Sequence, residues 1–559
     1  MQWLWAIAAL GTMALLLGLC YRPLGDYMAW VFTAEHHWKV ERAIYRLVGV
    51  NPRRDQSWQA YLRAILVFSA VGFVMLYLLQ RCQAWLPFSL GHGAVPPDLA
   101  FNTAASFVGN TNWQAYSPEH TMGYTVQMAG LAVQSFVSSA VGIAVSIALV
   151  RGLAARRSTT VGNFWVDLVR ANLRLLLPGS ILAAIVLMAG GVVQNLTGPT
   201  DITTLSGALQ SLPGGPVASQ EAIKMFGTNG GGFFNANSAH PFENPAAWTN
   251  LFQIFLLLVI PFALPRTFGT MTQDRKLGRA IAATMVALFT AVYAAITYFE
   301  LSGDGTAAQL AGAAMEGKED RFGIIGSTLF ATATTGTSGG AANSMHESYT
   351  AGSALFMMIH MLLGELSPGG VGAGLYTIVV MAVIAVFLTG LLLGRAPIFV
   401  GKRIGLREVK LASLVILVMP ILALAGMAAS FAIPSVRTEM LTQAMTSDGP
   451  RGMSEVMYAF ISCAINNGSS FAGFDANTPY LNTVLGVIIL LGRFVVIALV
   501  MAMAGAFAAQ DRVPLALTEL PLHRAQFIGF LVAIIVFIAV PTFLPVLTLG
   551  PLAEGRGGP

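Results

Sequence analysis

Long apolar runs recur along the chain, and polar connections of alternating length separate them. A run of about 20 apolar residues forms a helix long enough to cross a hydrocarbon core about 30 Å thick. About ten such runs stand out in hydropathy windows. They lie near residues 3–20, 61–81, 127–150, 174–195, 249–268, 278–300, 371–394, 411–433, 482–508 and 525–549. The pattern predicts an all-α polytopic membrane protein with about ten transmembrane helices.

The composition supports a membrane location and narrows the class of partners. Of the 559 residues, only 10% are charged and 55% are hydrophobic, whereas about 25% of the residues of a soluble domain are charged. The net charge of +5 comes from basic residues in short connections without interleaved aromatic residues. Membrane lipid is therefore the expected contact and nucleic acid is not. Three cysteines, far apart in sequence at Cys20, Cys82 and Cys463, indicate neither a metal site nor a disulfide framework.

The first apolar run has two interpretations, because residues 1–20 end in Leu-Gly-Leu-Cys, as a lipidated signal peptide could. A signal peptide begins with basic residues and is cleaved after a small residue. Here no Lys or Arg precedes the run, and Leu19 precedes Cys20. We therefore expect a retained first helix.

Basic residues are distributed unevenly between two sets of connections. One set is short and basic, and the other is long and poor in basic residues. The bases of the long set are Arg81, Lys224, Lys318, Arg321, Arg437 and Arg451. Because Lys and Arg are enriched in cytoplasmic loops, the short connections are predicted to be cytoplasmic and both termini to lie outside.

Each of the four long connections contains an apolar stretch too short to cross the membrane, followed by a cluster of Gly, Asn, Ser and Thr. These connections comprise residues 82–126, 196–248, 301–370 and 434–481. Such half-length segments are typical of re-entrant elements, which persist at membrane depth where protein buries them or where they line a water-filled cavity. Four occurrences, each between two spans, predict a fourfold pseudo-repeat of helix, pore loop and helix that resembles a potassium channel.

The predicted organisation has an extra helix at each end of the four repeats. Residues 1–60 contain the N-terminal extra helix and a cytoplasmic loop, and residues 524–549 form the C-terminal extra helix. Between them lie repeat 1 (61–152, pore loop near 104–114), repeat 2 (166–271, pore loop near 219–237), repeat 3 (278–394, pore loop near 326–343, with a broken second helix) and repeat 4 (410–508, pore loop near 455–474).

The polar clusters have the composition of a filter for a monovalent cation. They comprise residues 109–114, 227–237, 334–343 and 465–474, and they contain no carboxylate. Backbone carbonyls replace the hydration shell of the ion in such a filter, and Gly and Asn tolerate the left-handed backbone that aligns carbonyls. A short helix before each loop would direct its negative C-terminal end at the ion. Neutral oxygens favour potassium over calcium or magnesium, but they do not separate potassium from sodium or ammonium.

Two features outside the clusters each have a functional and a structural interpretation. The Gly- and Pro-rich segment 364–374, which includes Glu365, breaks the helix at the seventh span. It is either a gate below the filter or an ordinary turn. Arg493 lies within an apolar span, where a charge is costly. It is either an electrostatic element below the filter, or a structural ion-pair or snorkelling residue, with Glu347 and Glu365 as possible partners.

Three strings resemble a known family: Asn112 to Tyr116, Gly227 to Pro245, and Asn466 to Gly473. With the four span–loop–span units, they resemble the A-subunit family of Kdp potassium-transporting ATPases, within the superfamily of potassium transporters, over essentially the whole chain. The resemblance implies a potassium filter formed by Asn110, Thr111, Asn112, Thr228, Asn229, Gly230, Ser338, Gly339, Gly340, Asn466, Asn467 and Gly468, with Gln114 as a further contributor. The third loop departs from the pattern, because it has Gly where some members have Cys.

The same resemblance implies a complex in the bacterial inner membrane with a P-type ATPase B subunit, a C subunit and a small single-span subunit. Potassium would enter the filter from outside and then move laterally toward the B subunit. The chain has neither an Asp-Lys-Thr-Gly phosphorylation motif nor a Gly-x-x-x-x-Gly-Lys-Ser/Thr phosphate loop. We therefore expect it to bind potassium, to bind no nucleotide, and to leave ATP hydrolysis to a partner.

Three alternatives stay open at this point. A stand-alone potassium channel or ion-driven potassium transporter of the same superfamily would need no ATPase partner. A secondary transporter for an organic solute would have inverted repeats around a midplane pocket, whereas the loops here repeat in one orientation. A non-transporting membrane scaffold would tolerate substitution of the loop glycines.

Overall fold

The computed structural model describes residues 1–302, 315–364, 366–513 and 521–555, and helices dominate it. In chain order the α-helices are α1 (Gln2–Thr33), α2 (Lys39–Leu47), α3 (Trp58–Arg81), α4 (Pro97–Val108), α5 (Pro118–Thr121), α6 (Val126–Ala154), α7 (Phe164–Ala189), α8 (Val217–Phe226), α9 (Ala247–Met271), α10 (Arg275–Ser302), α11 (Gly323–Gly336), α12 (Ala351–Leu362), α13 (Ala373–Leu393), α14 (Leu406–Ala432), α15 (Pro434–Glu439), α16 (Gly449–Ala464), α17 (Pro479–Ala508), α18 (Ala525–Leu547) and α19 (Pro551–Glu554). Two antiparallel hairpins pair β1 (Thr200–Thr203) with β2 (Leu209–Leu212), and β3 (Ile398–Phe399) with β4 (Lys402–Arg403).

Ten helices in the described part of the chain are long and apolar enough to cross a membrane. They are α1, α3, α6, α7, α9, α10, α13, α14, α17 and α18. Each coincides with one of the ten predicted apolar runs, so the predicted polytopic helical fold is confirmed. The first helix is longer than its apolar run, since it continues through Pro23 to Thr33.

Local sequence explains where several helices begin. The Ser57 side chain caps α3 by accepting the Ala60 N–H, and the Thr478 side chain caps α17 by accepting the Leu481 N–H, both at 3.3 Å. Proline in the first turn, where its missing N–H is harmless, starts α4 and α16.

Four short buried helices lie between pairs of spans, in the order that the sequence predicts. Helix α4 lies between α3 and α6, α8 between α7 and α9, α11 between α10 and the interrupted pair α12 and α13, and α16 between α14 and α17. From Leu99 to Val108, for example, all residues of α4 except Phe101 are buried. Each short helix ends at one of the predicted filter clusters. The exact boundaries of the four repeats stay a prediction.

The helix that follows the third short helix is interrupted. Helix α12 ends at Leu362, and the next helix, α13, begins at Ala373. The break therefore falls on the predicted Gly- and Pro-rich segment. We call residues 363–372 the break segment; Glu365 lies outside the described residues.

Helix α6 is central and α1 is peripheral. In the most apolar window of each helix, 83% of α6 residues but only 11% of α1 residues are buried within the chain. Small residues let other elements approach α6 closely. A Cβ atom at Gly142 would lie 2.5 Å from the Val371 carbonyl oxygen, and one at Gly152 would lie 2.4 Å from the Ala504 carbonyl oxygen. The break segment and α17 are thereby packed against the centre of the protein.

Candidate functional site

The four predicted triplets occupy the same position relative to the four short helices. The C-caps of α4, α8, α11 and α16 are Gly109, Gly227, Thr337 and Ile465. The triplets 110–112, 228–230, 338–340 and 466–468 are therefore the first to third residues after each C-cap. The C-terminal end of each helix carries a partial negative charge next to its triplet.

The four triplets meet in space around Gly230. A Cβ atom at Gly230 would lie 2.5 Å from the Thr111 carbonyl oxygen, 3.0 Å from Gly340 Cα and 3.1 Å from the Asn467 carbonyl oxygen. The Gly340 N–H donates to the same Asn467 oxygen at 2.7 Å. A Cβ atom at Gly468 would lie 1.9 Å from the Thr111 oxygen. Backbone of all four loops therefore converges at one place, and the glycines make that approach possible.

The first residue of three triplets has a left-handed backbone. The φ angle is 66° at Asn110, 48° at Thr228 and 63° at Asn466. Asn tolerates this conformation, whereas a β-branched Thr is strained in it. Ser338, at the equivalent position of the third loop, does not adopt it. The third loop therefore differs from the others in backbone conformation at this position.

The side chain of Asn110 joins the first loop to the second loop. Its Nδ2 donates to the Thr228 carbonyl oxygen at 3.1 Å, and its Oδ1 accepts from Asn229 Nδ2 at 2.8 Å and from Ser138 Oγ of α6 at 2.7 Å. These bonds hold the side chain between the loops, so backbone oxygens are better placed than this amide to face an ion.

Asn466 and Asn467 tie the fourth loop to its two neighbours. Asn466 Nδ2 donates to Thr111 Oγ1 of the first loop at 2.9 Å. Asn467 Nδ2 donates to the carbonyl oxygens of Thr334 at 2.7 Å and Thr337 at 2.8 Å in the third unit. Hydrogen bonds therefore cross-link the loops and restrict changes in the width of the space between them.

The remaining third-loop residues are fixed by their own helix and by α9. Thr334 Oγ1 donates to the Gly339 carbonyl oxygen. A Cβ atom at Gly339 would lie 2.6 Å from Leu257 Cδ1, and Ser338 is fully buried. The structure thus brings all twelve predicted filter residues to the convergence of the loops.

A vestibule opens above the triplets, with a volume of about 1810 Å³ including its mouth. Its floor contains the third residue of every triplet: Asn112, Gly230, Gly340 and Gly468. Asn112 Oδ1 is buried and has no hydrogen-bond partner among the described residues, so it is available to an ion. Gln114 also lines the vestibule, but its Oε1 accepts the Gly232 N–H at 2.9 Å. Gln114 therefore links the first and second loops.

Two ionisable residues near the vestibule have shifted pKa values. Burial lowers the pKa of His346 to about 4, so its imidazole is neutral at pH 7. Burial and the neighbouring Glu455 raise the pKa of Glu347 above its ordinary value. Among the described residues, no group of three or more His, Cys, Asp or Glu side chains could hold a metal ion.

The break segment lies directly against the opposite side of the second and third loops. The Gly369 N–H donates to the Gly336 carbonyl oxygen at 2.7 Å, and the Val371 N–H donates to Thr228 Oγ1 at 2.8 Å. A Cβ atom at Gly370 would lie 2.1 Å from Ser338 Oγ. The break segment is therefore packed against the second and third loops, and its role as a gate stays a prediction.

Arg493 is buried in α17 beneath the first loop. Its Nη2 donates to the Ser138 carbonyl oxygen at 3.4 Å, and Ser138 Oγ donates to Asn110. Arg493 and Asn466 also line a second, mostly apolar cavity between the break segment, α14, α17 and α18, with a volume of about 880 Å³ including its opening. Glu347 is not its partner, because that carboxylate accepts from Thr446 Oγ1 and the Gly473 N–H.

Sequence reasoning missed a charged cluster behind the second loop, formed by the buried Glu221, Lys224 and Glu243, which the partly buried Asn237 contacts. All three charged side chains are at most 1% exposed. The available signal was the pair Glu221 and Lys224, two ionisable residues three apart in a short helix beside the filter cluster, because a charge at membrane depth is usually paired or functional.

Comparison with known proteins places the chain in a family. The model of the potassium-transporting ATPase A subunit family matches residues 11–555. A potassium-transporting ATPase potassium-binding subunit of Clavibacter michiganensis subsp. michiganensis is 60% identical, with 99% of this chain and 100% of the relative covered. A protein of the same name from Cutibacterium acnes is 56% identical over the same shares.

A solved structure, the potassium transporter TrkH from Vibrio parahaemolyticus, has the same general fold. The TM-score is 0.53 at 14% identity, covering 87% of this chain and 98% of TrkH. The likeness agrees with a helical membrane fold. Since the family model spans almost the whole chain and relatives share more than half of its residues, the chain belongs to the potassium-transporting ATPase A subunit family.

Proposed function

We propose that this chain binds potassium in a filter formed by its four loops and passes the ion to a P-type ATPase subunit for ATP-driven import. The observation that carries the proposal is the convergence of four neutral backbone triplets at the C-terminal ends of four short helices. Rings of backbone carbonyls replace the hydration shell of a weakly hydrated monovalent cation. Four helix ends add a negative potential at the same point.

The names of the relatives support potassium as the ion. Several close relatives are named potassium-binding subunits of a potassium-transporting ATPase. Those names also place them in complexes with other subunits. For this chain we propose a B subunit that hydrolyses ATP, a C subunit and a small single-span subunit as partners in the bacterial inner membrane.

The path that we propose starts at the vestibule, whose walls belong to the connections predicted to lie outside. Potassium enters between Asn112, Gly230, Gly340 and Gly468, and loses water to the triplets. Beyond the filter the break segment acts as a gate. The cavity beside Arg493 then leads the ion sideways between α14 and α18, and the positive charge keeps cations from resting there.

The test is the potassium dependence of ATP hydrolysis by the reconstituted complex, with Gly230→Asp compared with wild type. A carboxylate at Gly230 would collide with the first and fourth loops and place charge in a neutral filter. We expect the half-stimulating potassium concentration to rise at least about tenfold, or discrimination against rubidium and ammonium to be lost.

Gly91→Asp is the matched control. Gly91 also has a positive φ, of 80°, and no atom lies within 4 Å of the position that a Cβ atom would occupy, so the same substitution there leaves the filter intact. Unchanged potassium dependence and selectivity in Gly230→Asp would overturn the filter and favour the scaffold alternative. Potassium flux through vesicles that contain this chain without an ATPase partner would favour the stand-alone channel.

A further inference from the structure

The buried cluster behind the second loop is connected to a carbonyl of the filter. Lys224 Nζ bonds to Glu221 Oε2 at 2.6 Å and to Glu243 Oε2 at 2.8 Å. It also donates to Asn237 Oδ1 at 2.8 Å. The other end of that amide, Asn237 Nδ2, donates to the Gly230 carbonyl oxygen at 3.1 Å. The Asn237 side chain alone therefore separates Lys224 and its two carboxyl partners from the Gly230 carbonyl, the third of the second triplet.

Asn237 has no freedom to turn away from Gly230. Its Oδ1 accepts from Lys224 and from the Ser238 N–H, and it is 3.4 Å from the Ala342 N–H of the third unit. Because a side-chain amide has one accepting and one donating end, these donors fix the NH2 group on Gly230. The charged cluster thus determines where the amide points.

The cluster also holds the backbone that follows the triplet. Glu243 Oε1 accepts the N–H groups of Phe233 and Phe234 at 2.7 and 2.9 Å. Glu221 makes no such contact with the loop, and its Oε1 accepts only from Ser238 Oγ among the contacts described. The two carboxyl groups therefore have different tasks, although both bond to Lys224.

We propose that the Lys224–Glu243 pair, acting through Asn237, fixes the Gly230 carbonyl in the filter and thereby sets its discrimination among monovalent cations. The inference rests on the proposed function, since it assumes that the Gly230 carbonyl faces the ion path. Selectivity depends on the number and field of the carbonyl dipoles that an ion meets. A carbonyl released from Asn237 can rotate or retract, and the filter then accepts ions of other sizes.

Donor and acceptor chemistry gives the test a matched pair of substitutions. In Glu243→Gln, the NH2 end of the new amide must face either Lys224 or the two backbone N–H groups. Donors therefore face donors whichever way the amide turns. In Glu221→Gln, the carbonyl end can face Lys224 and the NH2 end can donate to the Ser238 hydroxyl, which also accepts. The same change of atoms is therefore disruptive at one site and tolerated at the other.

Asn237→Gly removes the link itself. Asn237 has a φ of 54°, which glycine adopts without strain, so the backbone can keep its path without the amide. The complex with its partner subunits is used throughout. The readouts are the half-stimulating concentrations of potassium, rubidium, ammonium and sodium in ATP hydrolysis.

We expect Asn237→Gly and Glu243→Gln to raise the half-stimulating potassium concentration about tenfold, which is the scale of one charge-supported hydrogen bond. Alternatively, the half-stimulating concentrations of the other cations should approach that of potassium by the same factor. Glu221→Gln should stay within about twofold of wild type, as expected where residue 221 keeps a hydrogen bond to both Lys224 and Ser238. If either disruptive variant assembles and keeps the wild-type values while Gly230→Asp changes them, the proposed brace is wrong and the filter stands. If Gly230→Asp is also without effect, the proposed function itself fails.

Discussion

Val371 donates its N–H to the Thr228 hydroxyl at 2.8 Å, although 143 residues separate the two in sequence. Thr228 is the first residue of the second triplet and keeps a φ of 48°, which a β-branched residue rarely adopts. Val371 belongs to the break segment. The bond therefore connects the candidate filter directly to the candidate gate. If either segment moves, the bond must break or the other segment must move with it.

Replacing Thr228 by Val tests that connection. Valine keeps the branched shape but removes the acceptor, so the buried Val371 N–H is left unpaired, at a cost of about 1–3 kcal/mol. We expect a lower melting temperature of the purified chain and a higher basal ATPase rate of the complex without potassium, since the gate is no longer held to the filter. Thr228→Ser keeps the hydroxyl and should restore both values. A Thr228→Val protein with the wild-type basal rate would show that the bond does not couple filter and gate.

Substitution of Gly468 should impair potassium binding because the new side chain would collide with the first loop, and not only because the backbone would be strained. Its φ is 99°, and an added Cβ would lie 1.9 Å from the Thr111 carbonyl oxygen. Gly449 also has a positive φ, of 66°, but open space around its Cβ position. Gly468→Ala should therefore raise the half-stimulating potassium concentration well beyond Gly449→Ala, which should cost about 1–2 kcal/mol of stability. Equal effects of the two substitutions on potassium dependence would mean that contact with the first loop does not matter.

The spans were predictable from the sequence because hydropathy over about 20 residues depends on composition alone. The positions of the short helices followed in the same way, and the clusters after them were recognisable from Gly, Asn, Ser and Thr. What the sequence does not contain is the pairing across loops. Asn110, Asn466 and Asn467 were expected in the filter, but nothing in their spacing indicated that their amides bond to neighbouring loops.

The charged cluster escaped prediction for a related reason. Glu243 follows Lys224 by 19 residues, across the second filter loop. No helical or strand spacing relates two residues so far apart, and only the folded loop brings them together. Their role depends on Asn237, which appears in the sequence as one more polar residue of the cluster. Long-range hydrogen bonds of this kind have no periodic signature.

The role of Arg493 can be determined by measuring the maximal ATPase rate and the half-stimulating potassium concentration separately. If its charge keeps cations from resting below the filter, Arg493→Met should lower the maximal ATPase rate, because ions leave the inner cavity more slowly. The half-stimulating potassium concentration should then stay within about twofold of wild type. If Arg493 only supports Ser138 and through it Asn110, that concentration should rise instead. Arg493→Lys keeps the charge and should preserve the maximal rate in the first case.

His346 makes stability depend on pH. The residue is 1% exposed, its Nδ1 lies 2.9 Å from the Tyr458 hydroxyl, and its Nε2 has no partner among the described residues. Burial lowers its pKa to about 4, against about 6.5 in an unfolded chain. Between these values the unfolded state binds the proton and the folded state does not. The stability contribution is therefore complete above pH 6.5 and is lost as the pH falls toward 4.

The expected loss is on the order of 3 kcal/mol across that window, and His346→Gln should remove it, because glutamine stays neutral. The measurement is the melting temperature of the purified protein between pH 4 and pH 8, as the difference between wild type and the variant. The nearby Glu347 has a raised pKa, but it is present in both proteins, so the difference isolates the histidine. A difference in melting temperature that stays constant with pH would mean that His346 is already protonated in the folded protein, or is reached by water from the vestibule.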